Sequence, residues 1–309
     1  MLSELRTDKV PFILGTDWWS DCDDCMALRL LCYAHKNEHI DLKGVVINAC
    51  MEYSVPSVAA FLRLENVDAA IGIDLNATDF HGIGPYQKRL AKRFADLPQN
   101  SDVLSGVSLY RKILSESTQK VEIAEIGFTQ VLADLLDSPA DEYSPLTGLE
   151  LVKEKCSKLW VMAGKWDNLK SGKEHNFCNN KRSIDGGIRL CKNWPTEIVF
   201  LGFEIGFNVI SGGNLKKDDF LHQAMADHLS FFGRSSWDPM LVLFALVNDF
   251  DKAGYTFRQG TASLESNGAN HFAFSEDGLH RFVEKTHRAV WYKNRINEIL
   301  ALDYENLTK

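Results

Sequence analysis

Residues Phe12 to Leu31 read FILGTDWWSDCDDCMALRLL. An apolar run ends at Thr16, and four carboxylates (Asp17, Asp21, Asp23, Asp24) follow within eight residues. Trp18 and Trp19 stand among them, and a second apolar segment begins at Cys25. A short continuous apolar run closed by polar residues is the pattern of a strand buried on both faces. The spacing after it predicts a helix over 23–37, with Asp23 and Asp24 in the first turn, where the helix dipole favours anions.

The same alternation continues outward. After a first strand at 10–17, apolar runs predict strands over 42–48, 69–74, 120–127, 158–164 and 197–203. Helical patterns lie at 55–66, 128–138, 183–194 and 238–249. Strands alternating with helices predict βαβ units, and hence an α/β fold: a doubly wound, mostly parallel open sheet with helices on both faces. Polar stretches at 82–105 and 211–227 read as loop and exposed helix, and 278–307 reads as an amphipathic helical cap on the sheet. No linker interrupts the pattern, so residues 1–309 are expected to form a single domain. In open α/β sheets ligands bind beyond the carboxyl ends of the strands. The loops carrying Asp17, Asn48, Asp74, Gly127, Gly164 and Phe203 should therefore converge.

The chain has 309 residues, 45% of them hydrophobic and 25% charged, enough to bury a core without staples. Its net charge is 34 − 42 = −8. That balance argues against a nucleic-acid partner, which calls for clustered Lys and Arg, and suits a cation site. Seven scattered cysteines read as free thiols of a reducing compartment. With no apolar run of secretory type at the start and none of 18 residues anywhere, neither a signal nor a membrane span is expected, and the default location is the cytoplasm.

Close carboxylates repel, and each costs several kcal/mol to desolvate without a partner. A hard divalent cation resolves both problems, because calcium takes six to eight oxygens. Helix capping accounts for one or two Asp, not four after a buried strand. An EF-hand loop is excluded, because Cys25 and Met26 follow Asp24. A magnesium D-x-D phosphatase would use Asp21 and Asp23 and needs a strand ending at Asp21.

The stretch TDWWSDCDDCMAL (16–28) resembles the N-terminal signature of the nucleoside hydrolase family, the inosine–uridine-type ribohydrolases, in which D-x-D-P-G-x-D-D follows the first strand. Counted from the motif's second Asp, the spacer to the Asp pair is two residues longer here, and Asp21 falls inside it. AEIGFTQVLADLL (124–136) resembles that family's G-P-L-T-N-[LI]-A turn. LWVMAGKWDNLKSGKEHNF (159–177) resembles its V-M-G-G…N…E-F-N segment, and GRSSWDPMLVLFAL (233–246) its H-D-P-[LM]-A-V motif.

The resemblance implies calcium-dependent hydrolysis of the N-glycosidic bond of a ribonucleoside or related N-riboside. It implies calcium ligands Asp17, Asp24, Asp238 and the Gln130 carbonyl, with Asp17 as general base toward a water on the metal. Asp23, Asn168, Glu174 and Asn176 would hold the sugar, and Met162 and Asn48 are candidate pocket residues at strand ends. Trp237 stands where the family's well-known members carry a His and offers a stacking face for the base. His81, in a loop of the pocket-covering kind, is a candidate contact to the leaving group. Family members are commonly dimers or tetramers, so a homo-oligomer is expected, with a small nucleoside-like molecule as ligand. The competing expectation is a catalytically silent nucleoside- or sugar-binding homologue that keeps the metal site.

Overall fold

The computed structural model describes residues 2–169 and 171–307. Among these residues one ten-stranded sheet forms the frame. In chain order its first strands are β1 Val10–Thr16, β2 Ile40–Ile47, β3 Ala70–Ile73, β4 Leu104–Ser105, β5 Val121–Glu125, β6 Cys156–Met162 and β7 Glu197–Leu201. A separate two-stranded ladder, β8 Ile210–Ser211 with β9 Arg234–Ser235, interrupts the series. The sheet resumes with β10 Tyr255–Leu264, β11 Asn270–Phe274 and β12 His280–Lys285.

The spatial order is β11-β10-β12-β7-β6-β5-β1-β2-β3-β4. Neighbours from β12 across to β4 are parallel, whereas β10 runs antiparallel to both β11 and β12. The expected mostly parallel, doubly wound architecture is the one observed. The chain order turns back between β1 and β5. A crevice opens beyond the carboxyl ends of strands at such a reversal, and there the exits of β1 and β5 lie side by side.

Alternate residues of the central strands feed two cores. Phe12, Leu14, Val45, Ile47 and Trp160 pack beneath the Asp23–Lys36 and Trp237–Val247 helices on one face. Ile13, Val46, Ile123, Leu159 and Phe200 pack on the other, against the Gly106–Glu116 and Gln130–Asp137 helices. Each such side chain taken fully out of water contributes about 1.5–3 kcal/mol. No helix of the described residues is long and apolar enough to cross a membrane.

Three regions differ from the sequence expectation. The 278–307 stretch is not helical throughout: residues 280–285 form β12, inserted between β7 and β10, and the helix begins at Ala289. The β10–β11 hairpin had no sequence signal: many of its positions are exposed, three of them in succession from Thr256 to Arg258, so the period-two alternation of a half-buried strand is lost. The supposedly exposed 211–227 excursion ends in a helix, Phe220–Asp227, that buries Phe220, Leu221, Ala224 and Met225.

Candidate active site

β1 delivers Asp17 directly into the crevice, and the five residues between it and the helix at Asp23 are held by their tryptophans. Trp18 takes a left-handed backbone, φ 44°, which a bulky residue adopts only when its surroundings compel it. Its indole is fully buried, donates to Ser57 Oγ at 2.9 Å, and meets Phe61 and Tyr86 edge-on at 5.3 and 5.5 Å. The Gln87 amide holds its carbonyl from below. Trp19 packs into a second cluster with Phe80, Phe128 and His175. The long spacer is thus pinned at both of its aromatic residues.

Asp21 is not part of the carboxylate floor. Arg234 grips it with both ends of the guanidinium, Nη2 to Oδ2 at 2.6 Å and Nε to Oδ1 at 2.9 Å. The Cys22 N–H adds a third donor at 2.7 Å. Burial raises the Asp21 carboxyl, but these donors outweigh it and the net shift is downward. The expectation of a D-x-D nucleophile at Asp21 meets the same obstacle, because β1 ends at Thr16 and Asp21 is committed to Arg234.

The floor is made by two helix N-termini. Asp23 and Asp24 open the Asp23–Lys36 helix, and Asp238 lies in the first turn of Trp237–Val247. The Asp238 N–H donates to Asp23 Oδ2 at 3.2 Å, locking the two ends together. Oxygens of Asp23, Asp24 and Asp238 all lie within 4.8 Å of one another. Asp24 also accepts from the Thr16 hydroxyl and from Trp18 N–H at 3.3 Å. Asp17 stands alongside: burial first, and then the charges of Asp24, Asp21 and Asp23, push its carboxyl well above the usual range. Burial likewise raises Asp23 and Asp238, and lifts Asp24 to about 7.

β5 leaves the sheet against β1, and only a glycine permits the approach: a Cβ on Gly127 would stand 2.2 Å from Asp17 N. The next wall comes from β6 and the loop after it. Glu174 accepts from Gly164 N–H at 3.0 Å and from Asn176 N–H at 2.9 Å, yet burial still lifts it to about 7. The Asn176 amide donates to the carbonyls of Ile126 and Met162, at 3.0 and 2.8 Å, and so clips the ends of β5 and β6. Opposite stand Phe203 and Trp237, stacked at 5.4 Å, with the indole N–H spent on the Phe203 carbonyl at 2.7 Å.

Together these groups enclose a cavity of about 280 Å³, the lower end of the small-ligand range. It is lined by Asp17, Asp23, Asp24, Met162, Glu174, Asn176, Trp237 and Asp238 of the sequence candidates, and also by Ser20, Asp21, Ile126, His175, Phe203 and Arg234. A roomier hollow of about 670 Å³ lies at the other end of the strands. Its Lys9 and Lys43 are already paired with Glu38 and Asp41, and no acid cluster marks it.

Four candidates lie elsewhere. Gln130 is the first residue of its helix, so its carbonyl is directed along the helix axis toward the next turn. Its amide donates to the Asn48 carbonyl, and Ile126, not Gln130, lines the cavity. Asn48 is wholly buried beneath the floor, donating to Glu125 at 2.8 Å and accepting from Phe128 N–H at 2.9 Å. Asn168 is exposed, its carbonyl accepts from Gly172 N–H at 2.9 Å, and it does not line the cavity. His81 is exposed and does not line the cavity. Of the unforeseen residues, Phe203 was flagged by the convergence of strand ends. Arg234 and His175 had no signal of their own.

The fold is that of the nucleoside hydrolases. A solved structure described as inosine-guanosine nucleoside hydrolase superposes with a TM-score of 0.66 at 13% identity, over 94% of this chain and 98% of that one. The inosine-uridine preferring nucleoside hydrolase from Bacillus anthracis gives 0.63 at 15%, over 94% and 99%. The type III effector protein XopQ, in complex with adenosine diphosphate ribose, gives 0.66 at 14%, over 97% and 96%. No protein-family model and no curated protein matches the chain.

Proposed function

We propose that this protein hydrolyses the N-glycosidic bond of a ribonucleoside or related N-riboside, with calcium in the Asp floor. The observation that carries the reading is four buried carboxylates, Asp17, Asp23, Asp24 and Asp238, facing one cavity with no Lys or Arg of the described residues paired to them. Such a cluster is stable in its charged form only with a cation. Its donors are all oxygen, which suits calcium and not zinc.

Asp17, Asp24, Asp238 and the Ile126 carbonyl would hold the ion; that carbonyl has a second lone pair beside the one given to Asn176. When bound, the ion supplies positive charge that binds vicinal sugar hydroxyls and acidifies a water. The remaining work falls to the chain. Asp23, Glu174 and Asn176 orient the sugar, through contacts that strengthen as the anomeric carbon gains positive charge. Asp17 accepts the proton of the attacking water. Phe203 and Trp237 offer flat faces to the departing base.

The test is ribose release from inosine, guanosine, uridine and cytidine with calcium present. Turnover by the wild type, lost by about 10²–10⁴-fold in Asp17→Asn, supports the reading. No release from any of them by a calcium-loaded protein sinks it. One observation favours a silent binding homologue: Trp237, with its only N–H already spent, has no proton to give a leaving group. The likeness to an effector complexed with adenosine diphosphate ribose keeps a ribose-bearing ligand in view for that case. Calorimetric binding of a nucleoside without ribose release would select it.

A further inference from the structure

We propose that His175 protonates the base as it leaves; this rests on the N-riboside hydrolysis just described. Among the described residues His175 is the only imidazole that lines the cavity. It lines the same cavity as its chain neighbours Glu174 and Asn176, so a sugar held by those two shares that cavity with the imidazole. The ring is oriented by stacking on Trp19, 6.2 Å between centroids and 28° between planes, with Phe128 at 5.6 Å. The second tryptophan of the spacer thus serves to back the imidazole.

No other group at the mouth fits the role. The Trp237 N–H belongs to the Phe203 carbonyl. Arg234 is held by Asp21 and never gives up its proton in water. The acids of the floor are committed to the cation and the water. His175 is solvent-accessible, which lets it recharge from bulk. Burial lowers its basicity while the charge of Asp21 opposes the fall, so it stays an imidazole that gives up a proton readily. The Asn179 carboxamide, with nitrogen 3.2 Å from Nε2, lies beside the ring and can present either end to its neutral or charged form.

The step balances. The bond from C1′ to the base nitrogen breaks and its electron pair passes into the base, which takes the His175 proton. The water oxygen bonds to C1′ and its proton goes to Asp17. Asp17 then releases a proton and His175 takes one up, giving ribose and neutral base.

The experiment compares inosine, whose base leaves poorly without a proton, with p-nitrophenyl β-ribofuranoside, whose phenolate needs none. His175→Phe keeps an aromatic stack on Trp19, and His175→Gln checks that any loss is not due to the new ring. Both variants are expected to lose about 10²–10⁴-fold in kcat on inosine, with KM within a few-fold and the nitrophenyl riboside turned over as in wild type. Equal loss on both substrates, or loss on neither, overturns the assignment. Wild-type cleavage of the nitrophenyl riboside but not of inosine or any other nucleoside also overturns it, while hydrolysis itself stands. A wild type that cleaves neither overturns the hydrolase reading as well.

Discussion

One helix, Asp23–Lys36, carries a buried acid cluster at each end, and the two are built oppositely. Toward its C-terminus Arg29 donates to Glu65 at 2.8 Å and to Asp219 at 2.6 Å, while Lys36 reaches Glu65 at 3.0 Å and Asp303 at 2.7 Å. Three acids meet two cations, and the Phe220 ring lies 4.6 Å from the Arg29 guanidinium. Glu65 is held below its ordinary value, and the surplus charge is relieved at Asp303, pushed up to about 8 by burial and by Glu65. At the N-terminal end Asp17, Asp23, Asp24 and Asp238 are buried too, but no Lys or Arg of the described residues is paired to them. A buried charge that serves the fold is neutralised from within the fold; one left uncompensated is reserved for a ligand.

The comparison breaks hardest on substitutions of opposite sign. Asp24→Asn is expected to abolish nucleoside turnover, by 10³-fold or more on the order of other lost catalytic groups, while the calcium-free protein melts no lower than wild type. The amide removes a charge that had no cation to face, and its oxygen can still accept from the Thr16 hydroxyl and the Trp18 N–H. Arg29→Met does the reverse: it strips the partner from Glu65 and Asp219 and is expected to destabilise by about 3–5 kcal/mol in urea unfolding. If Asp24→Asn destabilised the calcium-free protein as much as Arg29→Met, the two clusters would be of one kind and the distinction would fall.

Calcium offers the next largest effect. A ligand that binds only the folded state stabilises by about 2.7 kcal/mol at one hundred times its Kd. A rise in Tm with calcium is therefore expected in wild type and in Arg29→Gln, and its loss in Asp238→Asn. A calcium shift that survives Asp238→Asn places the ion elsewhere.

The sequence disclosed the N-terminal cluster more readily than the other because its logic is local. Asp17, Asp23 and Asp24 follow one strand, and the resemblance of 233–246 to the H-D-P motif adds Asp238. Asp21 was opaque, because its partner Arg234 lies 213 residues away and no pattern links them. Gln130 was placed in the site by motif position, yet the helix begins at that residue, and its carbonyl serves the helix where Ile126 meets the cavity. His81 and His175 are equally polar in sequence; only the packing of His175 on Trp19 separates them. The strands β10 to β12 escaped for another reason: β10 and β11 leave runs of successive positions in solvent, so they lack the alternation that marks a half-buried strand. Arg29, Lys36, Glu65 and Asp303 lay unread as surface charges of amphipathic helices, since nothing local tells a buried ion pair from a solvated one.

The finest test of the contrast is the pH dependence of the C-terminal cluster. Asp303 titrates near 4 in the unfolded chain and at about 8 in the folded one. Between those values the folded state keeps a proton that the unfolded state has released. Stability from this group is therefore complete below about pH 4, falls as pH rises toward 8, and is flat beyond. The lowered Glu65 acts below that window, where stability is lost as pH falls. Asp303→Asn mimics the protonated acid and can still donate to Glu65, so near pH 5 it should change stability by about 1 kcal/mol or less. Measured at saturating calcium, where the N-terminal acids are compensated, the difference between wild type and Asp303→Asn should move in favour of the variant as pH rises from 5 to 8. A difference that stays constant across that range would mean that Asp303 is ionised throughout, and that Arg29 and Lys36 balance all three acids without a proton.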